Sequence, residues 1–597
     1  MASSTTARRG RRTGGALRLR RTQFRLRIFL LVIAFVMSLF AARLFQLQGV
    51  DANAYASMAQ AEGTRSVTLH AARGQILDRG GAELASSTDA VAITADPTLT
   101  SDTAARIAAV LSEELGLDYF SMVEKLRTPD TRFVYLARRV PTWKAQQAYD
   151  RLDAEGLGGV LRERDPLRTY PETDVAANLV GMVDAAGNGS SGLELQYNDL
   201  LQGTDGEATY VTAPSGEHIP MADKTVTESQ DGTTLVTTID RDLQWYADRR
   251  LAQQVRDSGA EWGVAITVDA RTGEIYQFSQ VPSFDPNRLS DLDLDTVRNR
   301  GLQDVYEPGS VQKVLTFAAL LDAGLVSPTT RLVVPGAIFR DDFEINDYDD
   351  RTGRAYMTTT GALALSSNTG TIVAAETMPD EQLAGYLRSF GLGEPTEVGL
   401  PGESAGILAD PGTWTDSQRA TVTFGQGLSV TALQITAAVA AIANDGEYVA
   451  PRLVSGLQAD DGTFEAAPAP ERHRVVSEQA ARDVARMMTA VTEEGGTGPQ
   501  GAIPGYLVAG KTGTSQRANP DGGYYASGAT VSYAGFAPAD DPRFVTYVVI
   551  DNPKDGSGGG SGAGPVFHDI MKTVLMRYSV LPTGARYDRV PLAWRPR

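Results

Sequence analysis

The apolar run IFLLVIAFVMSLFAA (Ile28–Ala42) follows a head that holds nine arginines; a tenth, Arg43, comes just after the run, and the first 50 residues before Asp51 hold no acid. Extended through RLFQLQ the run reaches about 20 residues, enough for one helical crossing of a bilayer, with Arg43 snorkelling to the interface. Positive charge ahead of the span keeps the amino terminus in the cytoplasm, so everything after residue 50 lies outside it. A cleaved signal peptide is the alternative. It is disfavoured because no small-x-small site follows Ala42 and the apolar pattern continues at Leu44, Phe45 and Leu47. The sequence thus predicts a basic cytoplasmic tail over 1–27, a transmembrane anchor over 28–48 and a large extracytoplasmic body.

That body must find its chemistry without thiols. The 597 residues include no cysteine, which excludes disulfides, thiol catalysis and Cys-ligated zinc. The four histidines, His70, His218, His473 and His568, are too scattered for a His-rich metal site, and no metal or cofactor is expected. The net charge is −18, and the first 50 residues take ten of the 55 basic residues, so the rest of the chain is strongly acidic and unsuited to nucleic acid. The length fits two or three domains, and 42% apolar content is enough to fill their cores.

Residues 49–230 read as a mixed helix and strand domain. Turns are expected at Asp78–Gly81, Ala185–Gly192 and Ala213–Glu217, and a helix at Asp102–Leu117 with Ile107, Val110, Leu111 and Leu115 on one face. The polar stretch Met221–Thr233 marks a boundary. Over 231–580, Thr233–Asp240 leads into a helix, and Gly263–Gln280 reads as two alternating strands around an Arg-Thr-Gly turn. A long, largely helical middle follows. Strand signals return at Gly505–Thr514, Thr530–Pro538 and Arg543–Asp551. This order predicts an α+β domain whose single five-stranded antiparallel sheet is assembled from both ends and flanked by helices. Asp555–Gly564 (DGSGGGSGAG) reads as a flexible loop before a last helix, and 581–597 as a tail.

Lysine is rare: Lys125, Lys144, Lys224, Lys313, Lys511, Lys554 and Lys572 are the whole set. Lys313 alone has a serine three residues before it. Pro308 and Gly309 make a turn ahead of the helical pattern Val314–Leu325, so Ser310 and Lys313 share one face near a helix amino terminus. A serine hydroxyl is a weak nucleophile until a base takes its proton. Lysine does so when burial or a second cation lowers its pKa, and arginine cannot. Read alone, the pair favours Ser310 as a helix cap and Lys313 as a solvated side chain. Two more stretches carry weight: Ser366-Ser367-Asn368 at the head of a helix, and Lys511-Thr512-Gly513-Thr514 on a strand. A strand glycine such as Gly513 suggests an edge where an extended substrate docks.

In this order the three stretches resemble the signature of the penicillin-binding proteins and serine β-lactamases. Arg73–Ala85, Arg168–Glu172 and Gly192–Gly206 are similar to the pedestal boxes of the class B penicillin-binding proteins, with Gly80, Glu172 and Asn198 departing from the usual residues. Phe424–Gln434 looks most like the septal, FtsI-type branch and its actinobacterial members. The resemblance implies a pedestal domain, then a transpeptidase domain that cross-links peptidoglycan stem peptides and is acylated by β-lactam antibiotics. It implies Ser310 as nucleophile, Lys313 as base, and Ser366 and Lys511 as proton relay. It also implies that Asn368 holds the donor amide, that Thr512 and Thr514 meet its carboxylate beside Gly513, and that the N–H groups of Ser310 and Thr514 form an oxyanion hole. The implied partners are the plasma membrane, an FtsW-like SEDS-type glycan polymerase and other division proteins. A side-wall transpeptidase, a β-lactamase using one of Glu376, Glu381, Glu394, Glu397 or Glu403, a D,D-carboxypeptidase and an idle sensor or scaffold are the alternatives.

Overall fold

The computed structural model describes residues 16–46, 64–211, 225–290, 292–348, 352–459, 461–519 and 522–596. The expected turn at 213–217, the first residues of the 221–233 boundary stretch, most of the basic tail and the last residues of the anchor lie outside them. Helix α1 (Ala16–Phe45) begins within the basic head, where Arg and Leu favour helix. Its segment Gln23–Phe45, 23 residues that include an 18-residue stretch of mean hydropathy 2.5, is long and apolar enough to cross a membrane.

In the first folded region, strands Ala90–Ala95, Val134–Pro141 and Val160–Arg164 form a small sheet. The helix Ala104–Leu115 packs on a core that contains Ile107, Val110 and Leu111, with Leu115 against its edge. The three box-like stretches converge on one carboxylate. Glu194, fully buried, accepts from Arg73 Nε (2.5 Å), Arg168 Nε (2.6 Å) and the Tyr170 hydroxyl (3.3 Å). A carboxylate between two guanidiniums is how a buried charge is kept in a low dielectric. Asn198 joins the cluster by accepting from Arg73 Nη1 at 3.0 Å. Thr234–Thr237 pairs in parallel with Ile76–Leu77 and antiparallel with Val454–Gln458, so one six-stranded sheet ties early residues to late ones.

The site-bearing region continues with α2 (Arg241–Ser258), β1 (Trp262–Asp269), β2 (Ile275–Val281), α3 (Gln312–Asp322), β3 (Arg331–Pro335), β4 (Arg354–Thr358), α4 (Thr359–Ala364), α5 (Asn368–Ala375), α6 (Ala432–Ala443), α7 (Glu478–Thr492), β5 (Ala509–Ala518), β6 (Tyr524–Ala537), β7 (Phe544–Asp551) and α8 (Gly564–Arg577). The five-stranded antiparallel sheet has the order β2-β1-β7-β6-β5, built from both ends of the region. Helices cover both of its faces, as the order of elements predicts. Val264, Ile266, Val545 and Tyr547 face the core that holds α6, while Ala265, Tyr276, Val548 and Ile550 face the core of α2 and α8. Both faces are therefore dry.

Two expectations are corrected. The helical middle also contains short ladders, β3 with β4, Ala337–Arg340 with Phe343–Asn346, and Glu447–Val449 with Arg472–Arg474, each too brief to show a period. The glycine-rich stretch is not a loose loop. Gly559–Ala563 forms a single π-type turn pressed on the sheet, where a Cβ at Gly559 would lie 2.5 Å from the Gly513 carbonyl oxygen. The absent side chains allow close packing rather than mobility.

Candidate active site

Ser310 sits in a 3₁₀ turn, Gly309–Val311, that feeds directly into α3. Gly309 has φ +56°, which glycine adopts without strain. A Cβ there would come within 2.8 Å of the Thr514 carbonyl oxygen, so the turn lies flat against β5. Gly513 completes this contact from the strand. An added Cβ would meet Ser532 Oγ at 2.2 Å and the Pro308 carbonyl oxygen at 3.2 Å. β5 is an edge strand. The space that Gly513 leaves is nevertheless filled by the chain's own serine turn and Ser532, not held open for a ligand.

Lys313 is fully buried and points from the first turn of α3 at the Ser366–Asn368 segment. Its Nζ donates to the Ser366 carbonyl oxygen (2.5 Å), to Asn368 Oδ1 (2.7 Å) and to Ser366 Oγ (3.3 Å). From the other side Lys511, also fully buried, donates from Nζ to Ser366 Oγ (2.9 Å) and to the Thr512 carbonyl oxygen (2.8 Å). One serine hydroxyl thus lies between two lysines that come from a central helix and a sheet edge. Burial lowers the Lys313 pKa to about 7, against an opposing pull from the Asp347 carboxylate. Lys511 is held well below its ordinary value, by burial first and then by the positive charge of Lys313.

Local backbone geometry sets this up. Ser366 follows α4 with φ +58°, an uncommon conformation for a residue with a Cβ. It is held by Ser366 N–H donating to Leu363 O (3.1 Å) and Ser367 N–H donating to Ala362 O (2.8 Å). Ser367 then caps α5 by accepting from Gly370 N–H (2.9 Å). Asp347, nearly buried, braces both sides of Asn368, accepting from Ser367 Oγ (2.7 Å) and Thr369 N–H (3.0 Å). Asn368 also donates from Nδ2 to the Asn346 carbonyl oxygen (2.9 Å), which leaves one N–H and one lone pair for a ligand.

The structure therefore gathers Lys313, Ser366, Asn368 and Lys511 in one hydrogen-bonded cluster, and sets Ser310 and Gly513 where α3 meets β5. Thr512 and Thr514 look elsewhere. Thr512 Oγ1 donates to Thr497 Oγ1 (3.0 Å), and the exposed Thr514 donates to the Gly513 carbonyl oxygen (2.9 Å). Sequence reasoning missed Asp347, Thr497 and the brace at Glu307. The Glu307 carboxylate accepts from Gly427 N–H (2.8 Å) and the Tyr524 hydroxyl (2.9 Å) just ahead of Ser310. Asp347 sits in an acidic loop with no pattern to mark it, whereas Glu307 adjoins the serine turn and its burial was the missing signal.

Two family models match this chain in succession: the penicillin-binding protein dimerisation domain over residues 68–237 and the penicillin-binding protein transpeptidase domain over 263–572. The chain belongs to the class B penicillin-binding proteins. This penicillin-binding protein is 37% identical to penicillin-binding protein PbpB of Mycolicibacterium smegmatis over 596 residues, 93% of this chain and 91% of that one. It is 34% identical to peptidoglycan D,D-transpeptidase FtsI of Escherichia coli, over 93% of this chain and 91% of the relative. Among solved structures, penicillin-binding protein 3 of Mycobacterium tuberculosis complexed with aztreonam superposes with a TM-score of 0.69 at 33% identity, covering 89% of this penicillin-binding protein and all of that chain.

Proposed function

We propose that this penicillin-binding protein is a peptidoglycan D,D-transpeptidase that cross-links stem peptides through a serine acyl-enzyme during cell division, and that β-lactams acylate the same serine. Ser310 Oγ attacks the carbonyl carbon of the penultimate D-Ala while neutral Lys313 takes its proton. The C–N bond to the terminal D-Ala breaks, and the leaving amine takes a proton from Ser366, which Lys511 and Lys313 replenish. An acceptor amine then attacks the Ser310 ester, its proton returns through the same groups, and the serine is released with the cross-link made. The N–H groups of Ser310 and Thr514, adjacent where the turn meets β5, face the oxyanion. Losing one such donor typically costs about 10²–10³ in rate. Asn368 orients the donor amide through its remaining hydrogen-bonding positions, and Thr512 and Thr514 receive the carboxylate after leaving their present partners.

The observation that carries this reading is the Ser366 hydroxyl held between two fully buried lysines. Two of the five carboxylates open to a hydrolytic rival are engaged elsewhere: Glu376 with Arg340 at 2.8 Å, and Glu403 with the Thr396 and Glu397 backbone N–H groups. Intact mass spectrometry with benzylpenicillin tests the reading. A long-lived adduct on the Ser310 peptide, absent in Ser310→Ala, is expected. An adduct that decays with drug hydrolysis indicates a β-lactamase, and no adduct an idle scaffold.

We further propose that α1 anchors this penicillin-binding protein in the cytoplasmic membrane with the catalytic region outside it, and that the protein works at the septum beside a SEDS-type glycan polymerase that supplies the strands. What supports this is the basic, apolar α1 and the likeness to FtsI and PbpB. Failure of the full chain to co-purify with such a polymerase in detergent, with α1 intact, counts against the partnership.

A further inference from the structure

After α8 the chain does not leave the surface. Segment 580–594 runs back over the molecule from the sheet side to the helical side. At its start the Val580 carbonyl oxygen accepts from the Tyr506 hydroxyl (2.6 Å), just before β5. Midway the Asp588 carbonyl oxygen accepts from Arg486 Nη2 on α7 (2.8 Å). At its end it pairs with β4. Thr358 N–H donates to Leu592 O (3.0 Å), Trp594 N–H donates to Tyr356 O (3.1 Å), and Met357 and Ala593 form an antiparallel bridge. The Trp594 indole N–H donates to Leu332 O on β3 (3.1 Å), and its ring packs edge-on to Tyr356 at 5.0 Å.

This end point matters because Thr358 is the N-cap of α4, the helix that delivers Ser366. Its Oγ1 accepts from Gly361 N–H (3.0 Å) and donates to the Pro591 carbonyl oxygen (2.6 Å). Gly361 is in direct contact with the segment, since a Cβ there would lie 1.9 Å from Leu592 O. The two ends of the segment are therefore fastened beside β5, which carries Lys511, and to the cap of α4, which carries Ser366. The Ser366 to Lys511 hydrogen bond spans the same two halves at 2.9 Å.

We propose that segment 580–594 is a tether that positions Ser366 against Lys511, with Trp594 and the Thr358 cap as its positioning residues. The tether acts without touching substrate. Its role rests on the acyl-transfer reading above, because the quantity it sets is the geometry of that proton relay. A group held within a fraction of an ångström of its reacting geometry loses rate steeply when its support loosens.

The test uses the full chain in detergent and three variants: deletion of residues 581–597, Trp594→Ala, and Gly361→Ala. The last displaces Leu592 from within the helix, where alanine is otherwise the better helix former. Stopped-flow kinetics with benzylpenicillin separate the noncovalent dissociation constant from the acylation rate constant. The expected result is an acylation rate constant about tenfold lower in each variant, with the dissociation constant changed less than about twofold. Faster hydrogen exchange over residues 359–368 and recovery of rate in Trp594→Phe, which restores the ring contact with Tyr356, are also expected. Should the deletion fail to fold, the two point variants decide. Acylation rate and exchange equal to the parent in both point variants overturn the tether, even where the melting temperature falls. Absence of any adduct on the parent chain refutes the acyl-transfer reading itself, and the tether's role with it.

Discussion

Lowering the pH through 7 should switch off acylation through one amine. Lys313 is fully buried and its pKa lies at about 7 rather than at the 10.5 of a solvated lysine. Only the neutral amine can accept the Ser310 proton. On that basis the competent fraction is roughly 0.9 at pH 8 and about 0.01 at pH 5, close to a decade lost per pH unit below the pKa. The assay is the rate of benzylpenicillin acylation by quenched-flow mass spectrometry from pH 5 to 8.5. Lys313→Arg, which cannot deprotonate, should form no adduct across the range. The same ionisation leaves a mark on stability. The folded pKa is below the unfolded one, so between about pH 7 and 10.5 the unfolded chain binds more protons, and stability should rise with pH across that window. In Lys313→Met this contribution vanishes, and the stability difference between the two proteins should narrow by at most ~5 kcal/mol as pH rises, since each pH unit between the two pKa values contributes about 1.4 kcal/mol. A rate that stays flat from pH 5 to 8, together with parallel stability curves, would refute the assignment of Lys313 as base.

Asp347→Asn keeps an oxygen for the Thr369 N–H, turns its amide nitrogen toward Ser367 Oγ and removes the charge that favours protonated Lys313, so the acid limb of the acylation profile should move to lower pH; a displacement to higher pH contradicts the electrostatics. Glu194→Gln should destabilise the first folded region by about 3–5 kcal/mol because Arg73 and Arg168 lose their buried counter-charge, seen as a lower melting temperature with acylation kinetics unchanged at 25 °C. Gly513→Ala should cut the acylation rate by more than about tenfold, since the new methyl presses on Ser532 and on the Pro308 carbonyl that anchors the serine turn.

Local patterns carried much of the architecture. The Pro-Gly turn and apolar period around Ser310 specify a helix start, and i, i+3 spacing puts Lys313 one turn on. Both depend only on neighbours in the chain. The strand patterns likewise specified a five-stranded sheet closed from both ends. Patterns failed where a contact is nonlocal or an element is too short. DGSGGGSGAG has the composition of a linker, yet Gly559 packs on Gly513 because only a residue without a side chain fits there. The ladders of three to five residues in the middle span at most two and a half turns of the strand alternation, too few to stand out from the surrounding sequence. Residues 581–597 read as a tail, and they become structure through contacts with distant residues, among them Arg486 and the edge of β4.

The sequence by itself determined which groups are available: one serine ahead of one lysine on a helix face, a serine before a helix cap, a second lysine on a glycine-bearing strand, and no thiol to compete. It determined these because turns, caps and periodicity are properties of adjacent residues. What those groups can do was decided by the tertiary structure alone. It placed Ser366 between Lys313 and Lys511, removed both amines from water and set Asp347 beside one of them. A lysine becomes a base near neutrality only through burial and the charges around it, and both are fixed by parts of the chain that meet after long separations.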